Sequence, residues 1–268
     1  MNGRVIVTGA TGSMGAAAVA ALATQGHAVL MACRNLKKAK AVRDDILVRI
    51  PAADILIREL DLASMSSVRR FVDDLGDEPV QALFNNAGVI SKSYSITSDG
   101  LENTFSVNYF GPWLLTQLML PKLPTDARIV NMVSLTCRYA LLDETKLQPT
   151  EREFHQLRTY ALAKRALLSF SLELARRHPS LHVNLADPGV VASNMIDLGH
   201  WYDPLADLLF KPLCKTAKAG VEPALRALTA ADGNRYYVGK GSREIPARFI
   251  DPGLDARLWK ATEALISV

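Results

Sequence analysis

The chain has 268 residues, 49% hydrophobic and 22% charged, a balance that fills a core and excludes wholesale disorder. Its formal net charge of +4 assists binding of a small anion but is weak ground for a nucleic-acid partner, and no run of about 18 apolar residues offers a membrane span. Cys33, Cys137 and Cys214 have no CxxC spacing, so neither a disulfide framework nor a zinc site is indicated; Met1 to Thr8 lacks the marks of a signal peptide, and a reducing cytoplasm is expected.

In chain order, apolar and β-branched runs at Arg4 to Thr8, His27 to Cys33, Asp54 to Glu59, Val80 to Asn85, Ala127 to Val133 and Leu181 to Ala186 predict strands. Segments of helical period fall at Ser13 to Thr24, Leu36 to Arg49, Ser66 to Leu75, Leu101 to Leu120, Glu151 to Arg177 and Ala217 to Ala230. Nearly continuous apolar strands suit burial on both faces, and intervening helices supply parallel crossovers. The expectation is an α/β fold: one doubly wound parallel sheet flanked by helices, a single domain over residues 1–268 with no linker or repeat.

The first strand ends in Thr8-Gly9-Ala10-Thr11-Gly12-Ser13-Met14-Gly15, directly before a helix. Strand, glycine turn and helix in this order predict a Rossmann-type dinucleotide site. The glycines permit a tight turn, close approach of backbone to pyrophosphate and helix–strand packing, while the helix N-terminus offers free N–H groups. Gly9, Thr11, Gly12, Ser13, Met14 and Gly15 are therefore candidate cofactor contacts.

The end of the second strand reads Ala32-Cys33-Arg34-Asn35, with no acidic residue before Asp44. A carboxylate there would accept both ribose hydroxyls. Its lack, with Arg34, Asn35 and Lys38 present, predicts NADP(H) in preference to NAD(H), through a charge-assisted fork to the 2′-phosphate. Lys37 could serve in place of Lys38. Asp61, beside Leu62, could cap the following segment or contact adenine.

Tyr160 and Lys164 lie four apart in a helical segment and share a face. An ammonium near a phenol, aided by a cationic nicotinamide, could lower the tyrosine pKa toward neutrality. With the glycine turn, Asn85-Asn86-Ala87-Gly88, Asn108, and Ser134 after the fifth strand, the pattern resembles the short-chain dehydrogenase/reductase family, in its retinol-dehydrogenase-like branch. The resemblance implies Tyr160 as general acid/base, Ser134 as hydrogen-bond donor to the substrate oxygen, Lys164 as ribose ligand and Asn108 as support for a proton-relay water. It also implies Asn86, Ala87 and Gly88 beside the cofactor, and Pro188, Gly189 and Val191 at the carboxamide. Ser193 stands where the family often has threonine.

Several features depart from the family pattern. Gly12 and Ser13 shift the usual glycine spacing toward that of the longer, sugar-nucleotide-modifying members. Ser134 and Tyr160 are separated by 25 residues, about twice the common gap, and this stretch is expected as a solvated excursion. Asp187 precedes the Pro-Gly pair without an evident role.

Residues 190–216 are expected to form a substrate lid. There Trp201, Leu205, Leu208, Leu209 and Leu213 recur near helical spacing, so they could line an apolar pocket, pack on the core or, as a minor option, touch a membrane surface. Tyr236 to Gly239 resembles a short final strand. His178 and His182 do not share a helical face, so no metal site is expected. The resulting expectation is an NADP(H)-dependent oxidoreductase acting on a lipophilic ketone, aldehyde or alcohol, as a homodimer or homotetramer by family resemblance. A nucleotide-sensing protein without chemistry and a sugar-nucleotide epimerase are the rivals.

Overall fold

In the computed structural model, which describes residues 3–191 and 215–266, the apolar runs form strands of one eight-stranded sheet. Seven are parallel: β1 (Arg4–Thr8), β2 (Val29–Cys33), β3 (Ile55–Glu59), β4 (Val80–Asn85), β5 (Arg128–Met132), β6 (His182–Asp187) and β7 (Arg235–Val238). Their spatial order is β3-β2-β1-β4-β5-β6-β7, and β8 (Gly241–Glu244) pairs antiparallel with β7. The order reverses between β1 and β4, which is where such sheets open a crevice beyond their carboxyl ends.

Alternate side chains of each strand enter opposite layers. Val5 and Val7 pack with α1 (Ser13–Thr24), α2 (Leu36–Arg49) and α7 (Ala217–Thr229) through Val19, Leu22, Ile46 and Leu228. Ile6 and Leu83 enter the other layer, with α3 (Met65–Asp73), α5 (Gly111–Met119), α6 (Gln156–Arg177) and α8 (Pro252–Leu265). Burial on both faces explains the lack of polar alternation in these strands.

The segment expected as one helix over residues 101–120 is interrupted. A short turn, α4 (Asn103–Phe105), leads into a π turn (Ser106–Phe110) before α5. Asn108 supplies the physical cause: its Nδ2 donates to the Thr104 carbonyl at 2.7 Å, competing for the acceptor one helical turn back, and to the Val89 carbonyl at 2.9 Å. The helix expected from Glu151 begins instead at Gln156, because Glu153 closes a separate turn by accepting from the Thr150 N–H and hydroxyl.

Two elements were not expected. The exposed strand β8 carries little apolar signal, and α8 starts at an Asp251 cap that accepts from the Leu254 N–H at 2.9 Å. Trp259 of α8 lies 5.6 Å from the Phe170 ring and 6.0 Å from Trp113, while Arg177 covers its outer face at 4.3 Å. Arg176 pairs with buried Asp255 at 2.8 Å, so α8 is fastened to α6 by aromatic contact and by charge.

Candidate functional site

A cleft of about 560 Å³ opens at the β1/β4 switch point. The predicted turn residues Gly9, Thr11, Gly12, Ser13, Met14 and Gly15 line it. Arg34, Asn35 and Lys38 approach from the end of β2, Asp61 and Leu62 from beyond β3, and Asn86, Ala87 and Gly88 from beyond β4. Cys33, Leu60, Val89 and Val107 also line it; no individual signal marked them, although each adjoins a predicted position or a strand end.

The glycines are sterically required at two points. Gly9 has φ +63°, and a Cβ there would lie 2.8 Å from the Ala87 Cα. A Cβ on Gly15 would run into the Gly9 carbonyl oxygen and approach the Asn86 Nδ2 to 2.9 Å. Gly12, by contrast, has room for a methyl group, so the shifted glycine spacing leaves the tight contacts in place. No side chain caps α1, leaving its first N–H groups facing the cleft without a side-chain acceptor. This cradle fits a dinucleotide pyrophosphate.

Thr8 and Asn86 bind the two sides of the switch point together. The Thr8 hydroxyl accepts from the N–H groups of Asn86 and Ala87, both at 3.0 Å, and Asn86 Nδ2 donates to the Thr8 carbonyl at 2.8 Å. At the far wall, Asn35 is the α2 cap, accepting from the Lys38 N–H at 2.8 Å, while Arg34 and Lys38 are exposed. Asp61 accepts from the Ala63 N–H at 3.0 Å, which is the local capping role, and it also lines the cleft.

The candidate catalytic side chains gather beyond β5 and on α6. Thr136 donates its hydroxyl to Ser134 Oγ at 3.0 Å, and Ser134 hydrogen-bonds Tyr160. Lys164, one turn along, lies 5.9 Å from the Tyr160 ring centroid and donates to the Met132 carbonyl at 3.0 Å. Burial pushes the Lys164 pKa down to about 8.

The expectation of a depressed tyrosine pKa is not met by the protein's own groups. Burial pushes the Tyr160 phenol well above its ordinary value near 10, the Ser134 hydrogen bond opposes this, and Cys137 and Asp187 add to the rise. Ser134 and Pro188 follow β5 and β6 at the same carboxyl edge of the sheet as the glycine turn. Ser193 and the apolar stripe from Trp201 to Leu213 lie outside the described residues.

The stretch between Ser134 and Tyr160 is more than a solvated excursion. Cys137, Leu142 and Leu147 are buried, and Gln148 docks on the neighbouring loop by donating to the Gly100 carbonyl at 2.7 Å and accepting from the Glu102 N–H at 3.1 Å. Glu144 reaches Arg257 of α8 at 3.0 Å. Tyr139 and Leu141 remain exposed. Among the described residues no His, Cys, Asp or Glu cluster could hold a metal, and no helix is long and apolar enough to cross a membrane.

The family model described as short chain dehydrogenase matches residues 4–199. Mouse retinol dehydrogenase 14 is 30% identical, over 100% of this chain and 87% of its own length. Human retinol dehydrogenase 12 is 31% identical over 98% of this chain and 86% of its own. Among solved structures, an uncharacterised protein from Mycobacterium paratuberculosis superposes with a TM-score of 0.79 at 30% identity, covering 98% of this chain and 93% of that one. A short-chain dehydrogenase from Sphingobium yanoikuyae in complex with NADPH shares the fold, with a TM-score of 0.66 at 19% identity over 88% of this chain and 87% of its own. The parallel sheet, the glycine cradle at its switch point and these matches together establish that the chain belongs to the short-chain dehydrogenase/reductase family of oxidoreductases, in its retinol-dehydrogenase-like branch.

Proposed function

We propose that the chain is an NADP(H)-dependent oxidoreductase that transfers hydride between nicotinamide and a lipophilic carbonyl or alcohol, with Asn108, Ser134, Tyr160 and Lys164 as its catalytic residues. The observation that carries this reading is the Thr136–Ser134–Tyr160 hydrogen-bond chain, set one helical turn from Lys164 on the carboxyl edge that also holds the glycine cradle. When bound, the nicotinamide supplies or accepts the hydride. Tyr160, buried and held protonated, serves as the acid toward a carbonyl oxygen, and Ser134 offers a second donor where negative charge develops. Lys164 is the ribose ligand, and Asn108 anchors the π turn beside Val89 of the cleft.

Gly9, Thr11, Gly12, Ser13, Met14 and Gly15 would hold the pyrophosphate, and Asn86, Ala87 and Gly88 the adjoining ribose. Pro188, Gly189 and Val191 would face the carboxamide end. Exposed Arg34 and Lys38 support NADP(H) over NAD(H), since they are the cations lining the cleft at the end of β2. A lipophilic substrate is supported by exposed apolar residues flanking the catalytic ones: Tyr139 and Leu141 after Ser134, Leu157 one turn before Tyr160, and Val190 after Gly189. Two free buried cysteines, Cys33 and Cys137, accord with a reducing cytoplasm.

The test is turnover of a panel of lipophilic aldehydes and ketones, read by NADPH absorbance, for wild type and Tyr160→Phe. The substitution is expected to lower kcat at least about 100-fold with nucleotide affinity retained. Equal turnover by the two proteins would refute the assignment, and tight NADPH binding without turnover of any substrate would favour nucleotide sensing.

A further inference from the structure

Asp187 ends β6 with only 1% of its surface exposed, and both of its carboxylate oxygens are engaged. Oδ1 accepts the Gly189 N–H at 2.8 Å, and Oδ2 accepts the Tyr236 hydroxyl of β7 at 2.7 Å. Gly189 sits at φ +72°, where a residue without Cβ is favoured, and Lys215 donates to the Pro188 carbonyl at 3.3 Å. Tyr236 is itself fixed, fully buried against Phe249 with ring centroids 6.3 Å apart.

A buried carboxylate carries a large desolvation penalty unless its hydrogen bonds are complete. At this position it joins a strand end, a left-handed glycine and a neighbouring strand, more than a simple turn needs. The turn leaves β6 at the same edge as Ser134 and Tyr160. We propose that Asp187 is a positioning residue which, through Tyr236, clamps the Pro188–Gly189 turn so that its backbone meets the nicotinamide end of the bound dinucleotide. The inference rests on the reading of the site as a nicotinamide site.

The experiment compares NADPH Kd by fluorescence titration, kcat and melting temperature for wild type, Asp187→Ala, Asp187→Asn and Tyr236→Phe. Alanine removes both hydrogen bonds and is expected to weaken NADPH binding about tenfold and to lower kcat. Asparagine can accept from the Gly189 N–H and donate to the Tyr236 oxygen, so it should restore Kd to within about threefold of wild type. Tyr236→Phe should fall between them. A merely structural role would lower the melting temperature and leave the Kd of the folded protein unchanged, which would overturn the proposal, as would asparagine as weak as alanine. If the alanine variant does not fold, Tyr236→Phe decides, and a wild-type Kd there counts against the clamp. Wild type that binds neither NADPH nor NADH would refute the nicotinamide reading itself and the clamp with it. Normal wild-type binding with indifferent variants would refute the clamp alone.

Discussion

The Lys164 ammonium donates to the Met132 carbonyl at 3.0 Å from a position only 2% exposed, so one hydrogen bond ties the helix bearing Tyr160 to the strand that leads to Ser134. Burial brings its pKa down from 10.5 to about 8, meaning that the folded protein releases this proton before the unfolded chain does. Between those values the unfolded state binds more protons, so stability contributed by this site rises with pH; below about 8 the penalty of the buried charge is fully present. Relative to Lys164→Met, wild type should therefore gain about 1–3 kcal/mol from pH 8 to 10.5 in denaturant titrations. A flat difference across that window would show that the ammonium is not desolvated.

Gly15→Ala should damage both fold and cofactor site. Its new methyl group would meet backbone of Gly9 and Ala10, which cannot swing aside, and the Asn86 side-chain amide, which is held by its hydrogen bond to the Thr8 carbonyl. Overpacking of this kind costs about 1–3 kcal/mol, or roughly 3–10 °C in Tm, and nucleotide affinity should fall with it. Gly12→Ala, whose Cβ would make an ordinary 3.4 Å contact with the Gly9 carbonyl oxygen, is the matched control and should melt within about 2 °C of wild type.

Arg34→Asp should reverse or erase discrimination between NADPH and NADH. Aspartate at the end of β2 would repel a 2′-phosphate and accept the ribose hydroxyls of NADH. Dissociation constants for both nucleotides check this, and unchanged discrimination would make Arg34 an ordinary surface charge.

Ser134→Ala removes the donor to Tyr160 and leaves the Thr136 hydroxyl without its acceptor. We expect kcat to fall about 100-fold or more and the tyrosine-dependent limb of the pH–rate profile to move upward, because the hydrogen bond from Ser134 lowers the phenol pKa. An unmoved limb would separate Ser134 from the proton chemistry.

Assembly through α6, the mode that family resemblance suggests, meets an obstacle in this chain. Residues 159–175 of α6 are buried without interruption, and α8 is fastened across the helix through Trp259 and Asp255. Light scattering decides between the monomer mass, 29.2 kDa, and the dimer or tetramer that family resemblance implies, which with α8 in place would use another face.

The inner strands could be read from sequence because each is an apolar run buried on both sides, and the glycine turn because sterics leave little choice at Gly9 and Gly15. β8 could not be, since Gly241 to Glu244 is exposed and held by its ladder to β7 rather than by burial. α8 did have a signal in Asp251-Pro252 followed by Leu254, Leu258 and Thr262, a cap before a periodic face. The π turn was hidden because it arises from where the Asn108 amide finds its acceptors, and Asp187 was opaque because its partner Tyr236 lies 49 positions away.

At the centre of the sheet, Asn85 and Asn131 stand directly opposite each other on β4 and β5. Asn85 Nδ2 donates to Asn131 Oδ1 at 2.8 Å, and Asn131 passes the chain on to Ser171 Oγ at 2.7 Å. A one-residue slip of either strand would turn these amides toward the opposite helical layer and strand them in hydrocarbon. The polar pair thus makes alignment legible in hydrogen bonds: the native register is the one that joins these two buried amides at the carboxyl ends of their strands.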